Sequence, residues 1–510
     1  MSCMAIITKS YIKKMFLSIY AYAVAVIFFF MFLCYDFPLI MKKTKIVATI
    51  GPATESKEKL EELLKSGMNV MRLNFSHGDF AEHERRVNNF RSAVKKTGIR
   101  AGILQDLGGP KIRIGDFKDG AVDLIPGKIF TLTTDDIEGS EERVFINYKR
   151  LPKEVYAGHI IYLHDGKIKL EVMKVQGNDV ACKIITGGNI KGRRGVNLPD
   201  SDLSVKSLTE KDLKDLEFGL KHDVDFIALS FVRRPEDIDE LRVILDKRKS
   251  KTKIIAKIET PQAVENIDEI IKRTDGVMVA RGDLAIEMPA EKVPLIQKMI
   301  IEKCNRLGKP VITATQMLES MIKSPVPTRA EVSDIANAIL DGTDAIMLSE
   351  ETTLGNYPIE AVKMMSKIAL ETEKNYIERA MVRANGNGVV GITDSITSSV
   401  VKTAHDVGAK IIVALTDSGF TARMISRHKP KPPILVISKN EKTCNQACVS
   451  FGCLPARTEK YKTLNEALLM ARKYCLTEKI AEKGDNIVIA CGAMSGKKNA
   501  FTNMILVERI

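Results

Sequence analysis

Short apolar runs and amphipathic stretches take turns along most of the chain, and their periods predict strands and helices in alternation. Lys45–Ile50 reads as a strand. Ser56 then caps a helix with Leu60, Leu63 and Leu64 on one face, closed by Gly67. Asn69–Asn74 is a second strand, followed by a charged helix to Lys96, and Arg100–Asp106 is a third. Residues 111–206 break this rhythm. They carry many glycines and short β-like runs such as Lys128–Thr133, His159–Leu163 and Asp179–Ile185, the pattern of a small inserted all-β domain.

Alternation resumes at Ser207-Leu-Thr-Glu210, which reads as a capping box opening a helix with Leu213, Leu216 and Leu220 on its face. Strands are expected at Phe226–Ser230, Lys253–Ile258, Gly276–Ala280, Pro310–Thr313 and Ala345–Leu348. Three strands before the insert and five after it make the eight of a (β/α)8 barrel. A further region has strands at Lys410–Leu415, Pro433–Val436 and Asn486–Ala490 between helices, and it reads as a separate doubly wound α/β domain with a loop at Asn385–Gly388 near its start. The expected layout is an extension at residues 1–40, barrel segments at 41–110 and 207–375, the β insert at 111–206, and the C-terminal α/β domain at 376–510.

Barrel active sites lie at the C-terminal ends of the strands. Those ends are polar here. They hold Arg72, Asn74, Ser76 and His77 after the second strand, Asp106 after the third and Ser230 after the fourth. Lys257 and Glu259 follow at the fifth, Ala280-Arg281-Gly282-Asp283 at the sixth, Thr313 to Gln316 at the seventh, and Ser349-Glu350-Glu351 at the eighth. One such residue would read as a cap or a surface ion pair, whereas seven agreeing strand ends point to a site. Lys257 and Glu259, two apart on a strand, share a face. Glu259 and Asp283 end adjacent strands and can share one hard cation such as Mg2+. Arg72, Lys257 and Arg113 add positive charge, and a metal with cations around one centre suits phosphoryl transfer. The Ala280–Asp283 run is expected to offer a free backbone N–H beside Asp283 for an anionic group. A plain Lys257–Glu259 ion pair and a surface role for His77 stay open. No GxxxxGK[ST] loop is present, which excludes a P-loop enzyme.

The net charge is +13 with no tryptophan among 510 residues. The basic residues are spread, without the interleaved aromatics of an RNA reader, so the charge fits a solvated surface plus a phosphate site and no nucleic-acid partner is expected. The nine cysteines form no CxxC pair, which argues against zinc and for reduced thiols packed as small hydrophobes.

KIVATIGPAT, MNVMRLNFSHG, LQDLGGPKIRIG, GVNLPD, IIAKIE, VMVARGDLAIE, KPVITATQMLESMI and ETTLGNYPIEAV, with the PTRAEVSDIANAILDGTDAIMLS run, resemble the pyruvate kinase family in order and spacing across residues 42–510. The resemblance implies phosphoryl transfer from phosphoenolpyruvate to ADP as the last step of glycolysis, with Mg2+ or Mn2+ held by Glu259 and Asp283. It implies that Lys257 neutralises the phosphoryl in flight, that Arg72 touches it, and that Thr315, with Ser349 and Glu351, supplies a proton to the enolate. Ser230 and the Ala280-Arg281-Gly282 backbone would hold the substrate, and Pro52, Asn74, His77, Arg113 and Arg194 would face the nucleotide. The β insert would act as a lid. A cytoplasmic homotetramer with allosteric control is implied as well.

The chain departs from the family pattern in places. Many members hold K+ with groups like Asn74, Ser76, Asp106 and a threonine at position 107, and carry glutamate at position 111. Here Leu107 and Lys111 stand there, with Gly108 for a lysine. The Lys111 ammonium is expected to replace the ion, so K+ is expected not to be required. Glu350 stands where many members have glycine or alanine. Thr416, Ser418, Gly419 and Thr421 sit where the family binds a phosphorylated effector, although a plain strand–helix turn fits equally well.

Met15–Tyr35 is uncharged and long enough to cross a bilayer, with Lys9, Lys13 and Lys14 before it. Because an exported kinase would lack ADP, the expected start is Met41, with a membrane anchor and a signal peptide as the other readings. Two rival functions stay in view: a Mg2+-dependent barrel aldolase or lyase acting on 2-oxo acids, and a membrane-tethered scaffold that has lost catalysis.

Overall fold

The computed structural model describes residues 42–374, 391–459, 463–492 and 502–510. The hydrophobic run at 15–35, Met41 and the Asn385–Gly388 stretch lie outside the described residues, and among the described residues no helix is long and apolar enough to cross a membrane.

Eight parallel strands close a barrel: Lys45–Thr49, Val70–Asn74, Gly102–Asp106, Phe226–Leu229, Lys253–Ile258, Gly276–Ala280, Val311–Ala314 and Ala345–Leu348. Ala48 of the first strand pairs with Met71 of the second and with Leu348 of the eighth, which seals the ring. Alternate residues point inward. Val47, Val70, Leu104, Phe226, Ile255, Met278, Ile312 and Ala345 fill the barrel interior, and their neighbours in sequence pack outward against the helices. Two residues on from an inward apolar position the interior turns polar. Val70 leads to Arg72, Leu104 to Asp106, and Ile255 to Lys257 and Glu259. The parity that builds the core therefore also aims the site.

Asn or Asp precedes every even-numbered strand, and each side chain accepts a backbone N–H from the strand before it. Asn69 takes Ile46 at 3.0 Å, Asp225 takes Ile103 at 2.9 Å, Asp275 takes Ile254 at 3.0 Å and Asp344 takes Val311 at 3.1 Å. At this end of the barrel Lys429 of the C-terminal region donates to Asp344 at 2.8 Å, both groups being buried.

Between the third and fourth strands, residues 112–198 build a separate apolar core under a six-stranded and a two-stranded sheet. After the barrel, Ile411–Leu415, Ile434–Ser438, Cys453–Arg457 and Asn486–Cys491 form a parallel sheet with one antiparallel edge strand, Met504–Arg509, and an apolar cluster covers each face. The seven cysteines of the described residues are free and buried.

One start signal differs from the sequence reading. Thr209, not Ser207, caps the helix Glu210–Lys221, and Asp212 closes its capping box. Both registers satisfy the same four-residue pattern, and Asp212 wins because its carboxylate accepts the Thr209 N–H while also accepting the Gly109 N–H at 3.1 Å. The helix face shifts with it: Leu216 is buried, whereas Leu213 is exposed.

Candidate active site

Lys257 sits at the centre of the polar end of the barrel. Its ammonium donates to the Ser230 hydroxyl at 2.7 Å and stands 2.9 Å from Glu259 Oε1 and 3.3 Å from Asp106 Oδ1. Burial alone would drive the proton off this amine. The Asp106 and Glu259 carboxylates outweigh it and raise the pKa above the ordinary lysine value. Asp106 is equally buried, and Lys257 and Arg72 together hold its carboxyl below the usual range. Arg72 bridges Asp106 Oδ2 at 2.7 Å and the Thr49 hydroxyl at 2.8 Å, which fixes its guanidinium at the mouth.

Glu259 is 1% exposed, and this matters for its charge. Its Oε2 accepts the Phe231 N–H at 2.7 Å, while Oε1 faces Lys257 without a well-aligned hydrogen bond. Burial pushes its pKa up. Lys257 opposes the shift, and the nearby Asp283 carboxylate adds to it. A buried carboxylate with an oxygen short of a partner, beside the Asp283 carboxylate, forms a donor set that fits a hard divalent cation.

Thr315 occupies the left-handed region at φ 67°, and Gln316 follows at φ 54°. For a β-branched residue this is strained backbone. Two charged groups, the half-buried Arg281 and the buried Glu351, hold it. Arg281 donates from Nε to the Ala314 carbonyl at 3.2 Å and from a terminal nitrogen to the Thr315 carbonyl at 2.7 Å, with Asp334 2.7 Å from its other arm. Glu351 accepts the Leu318 N–H at 3.1 Å and the Ser349 N–H at 2.7 Å, and burial pushes its pKa up. Within the Ala280–Asp283 run the Gly282 N–H donates to the Thr315 hydroxyl at 2.7 Å, because the strained turn brings that hydroxyl under the start of the helix Arg281–Glu287. Sequence reasoning missed the bracing by the Arg281 side chain; a lone arginine at a strand end gave no signal of its partners.

The other expected positions surround this centre. Ala280 is buried at the end of the sixth strand. Pro52 and His77 are exposed at the mouth, and the His77 pKa is lowered by burial and by Lys111, Arg113 and Arg72. Asn74 accepts the Ser76 N–H at 3.1 Å, and the Leu107 carbonyl accepts the Ser230 hydroxyl at 2.7 Å. Lys111 is exposed at the lip of a cleft of about 390 Å3 that Ser76, Gly108 and Arg113 also line. Arg113 donates to the Arg193 carbonyl at 3.0 Å, and Arg194 keeps a buried Nε without a partner. In the C-terminal region, Gly419 at φ 76° donates to the Thr416 hydroxyl at 3.1 Å, Thr421 pairs with Thr502 at 2.7 Å, and Ser418 is exposed.

A closed barrel with buried lysine, arginine and paired carboxylates at one mouth defines an enzyme that handles an anionic substrate. Comparison with known proteins narrows this. Residues 41–362 match the pyruvate kinase barrel domain and residues 394–508 the pyruvate kinase alpha/beta domain. A pyruvate kinase of Clostridium perfringens is 46% identical over 92% of this chain and its own full length. One of Bacillus licheniformis is 46% identical over 92% of this chain and 80% of its own. The crystal structure of a pyruvate kinase from Cryptosporidium parvum superposes with a TM-score of 0.89 at 36% identity, covering 93% of this chain and 97% of that one. The chain belongs to the pyruvate kinase family, and it is a phosphotransferase.

Proposed function

We propose that the chain transfers the phosphoryl group of phosphoenolpyruvate to ADP, giving ATP and pyruvate, with the groups around Lys257 carrying the transfer. The P–O bond to the enol oxygen breaks, a bond to the terminal oxygen of ADP forms, and the enolate carbon then takes a proton. The single observation that carries this reading is the buried Lys257, charged and braced by Asp106, Glu259 and Ser230. Its positive charge is fixed before substrate arrives, so it need not reorganise as charge develops on the moving phosphoryl. Arg72, locked by Asp106, presents a second cation from the second strand.

Glu259 and Asp283 would hold Mg2+ or Mn2+, which supplies charge neutralisation between phosphate oxygens. Ser230 and the Ala280-Arg281-Gly282 segment bind the substrate end. Thr315 lies by the enolate carbon, held there by Arg281, and Ser349 with Glu351 supports the proton path. Pro52, Asn74, His77, Arg113 and Arg194 face the nucleotide. The β insert excludes water when it seats over the mouth.

K+ is not required in this reading. Asp106 is already neutralised by Arg72 and Lys257, Asn74 and Leu107 spend their acceptors internally, and Lys111 adds charge at the lip. The loop Thr416–Thr421, with Ser418 exposed and Gly419 free of a side chain, takes a phosphorylated effector. Family membership further suggests a cytoplasmic homotetramer.

The test is pyruvate and ATP formation by the purified chain. Equal amounts of both, dependent on ADP and a divalent metal, are expected. Pyruvate release from a 2-oxo acid without ADP would favour a lyase instead, and no turnover in a chain beginning at Met41 would favour an inactive scaffold.

A further inference from the structure

The segment that leads from the β insert back into the barrel, residues 197–205, is fastened to three successive strand-end loops. Asn197 Nδ2 donates to Glu287 Oε1 at 2.7 Å. The Ser201 carbonyl accepts from Gln262 Nε2 at 3.3 Å, and the Leu203 carbonyl accepts from Arg233 at 3.1 Å. A second nitrogen of Arg233 donates to the Val205 carbonyl.

Each barrel partner follows a site residue by three or four positions: Arg233 after Ser230, Gln262 after Glu259, and Glu287 after Asp283. The outgoing segment is built differently. It runs through Gly108 and Gly109, the latter at φ 66° with its N–H donated to Asp212 at 3.1 Å. The outgoing arm is thus tied to the helix Glu210–Lys221, whereas the return arm is tied to the loops that hold the chemistry. Asn197 and Glu287 also line a small cavity of about 50 Å3 together with Asp283, Gln262 and Lys111.

We propose that Asn197 and Glu287 form a positioning pair, through which the seating of the β insert sets the placement of Asp283 and, with Gln262 and Arg233, of Glu259 and Ser230. Neither residue touches substrate. The pair acts by holding the helix Arg281–Glu287 at the angle at which Asp283 meets Glu259. A helix of seven residues has two turns, so the contact at its last residue governs the tilt of its first turn, where Asp283 lies. Small misplacements at a reacting centre cost rate before they cost affinity. The inference rests on the roles proposed above for Ser230, Glu259 and Asp283.

The experiment compares Asn197→Ala, Glu287→Ala, the double variant and Glu287→Gln in the full chain with phosphoenolpyruvate, ADP and Mg2+. The expected result is a fall in kcat of about tenfold for either alanine variant. KM for phosphoenolpyruvate should change less than about twofold, because the binding cations are untouched. The double variant should be no slower than the slower single, since both remove one contact. Glu287→Gln keeps the acceptor for Asn197 and should restore kcat to within about twofold of the wild type, which a bare charge effect on Asp283 would not do.

Wild-type kcat in both alanine variants, in a preparation whose Lys257→Met counterpart is inactive, would overturn the proposal. So would equal losses in Glu287→Gln and Glu287→Ala. Full turnover by Lys257→Met would instead bring down the assignment of the site itself. Should Glu287→Ala fail to fold, Asn197→Ala on the half-buried return arm decides by the same criteria.

Discussion

The Lys257 ammonium stands 2.9 Å from Glu259 Oε1, and both side chains are almost wholly buried at the end of one barrel strand. Within the pair the lysine compensates a carboxylate that burial would otherwise protonate. A divalent cation on Glu259 and Asp283 would take over part of that compensation. Removing one partner of a buried pair costs about 3–5 kcal/mol because the other is left uncompensated. Lys257→Met should therefore be less stable than the wild type without metal and should recover more on adding Mg2+. Thermal unfolding checks this: the Mg2+-induced rise in Tm should be larger in the variant.

Thr315 is held in its left-handed turn by Arg281, whose fork reaches the Ala314 and Thr315 carbonyls and Asp334 at once. Lysine cannot reproduce a planar fork. Arg281→Lys is expected to lower kcat by roughly 10–100-fold, through displacement of the Thr315 hydroxyl, with little change in KM for ADP. Steady-state kinetics at saturating Mg2+ measure it.

Asp225 provides a stability test remote from the site. Burial pushes its pKa up to about 6, with Lys442 and the Ile103 N–H opposing the shift. A raised acid favours the folded state most when it is protonated. The contribution is fully present below the unfolded value near 3.8 and is lost as pH rises through about 6. At pH 8 the folded protein thus carries an ionised group at a cost on the order of 3 kcal/mol. Asn69 holds the equivalent N–H at the second strand without any charge. Asp225→Asn should accordingly raise Tm at pH 8 and raise it less at pH 5, as read by calorimetry at the two pH values.

For K+, activity in a buffer free of K+ and Na+ should rise less than about twofold when K+ is added, because Arg72 and Lys257 already neutralise Asp106. Lys111→Glu, which reverses a charge at the lip of the cleft that Ser76 and Gly108 line, should make the enzyme respond to K+. A large activation of the wild type would contradict this account of the cation.

Much of the barrel was legible because its two periods are plain. Inward parity on strands such as Lys253–Ile258 predicts the apolar lining and the polar residues that follow it, so Lys257, Glu259 and Asp106 fell where expected. What stayed hidden depends on partners distant in sequence. Arg281 braces a turn 34 residues away, and Asn197 meets Glu287 across 90 residues. In the Ala280–Asp283 run, the Gly282 N–H is taken because Thr315 adopts a backbone conformation that threonine disfavours, which no local pattern announces. At the helix Glu210–Lys221 two overlapping capping boxes were available, and the second bond from Asp212 to Gly109 decided between them.

The most direct test of the account is the turnover of Lys257→Met measured as ADP-dependent pyruvate formation with Mg2+ and both substrates saturating. Losing a preorganised cation at the transferring phosphoryl should cut kcat by roughly 10²–10³-fold while the variant, stabilised by Mg2+, stays folded. Turnover within about twofold of the wild type would contradict the claim that this buried lysine carries phosphoryl transfer at the barrel mouth.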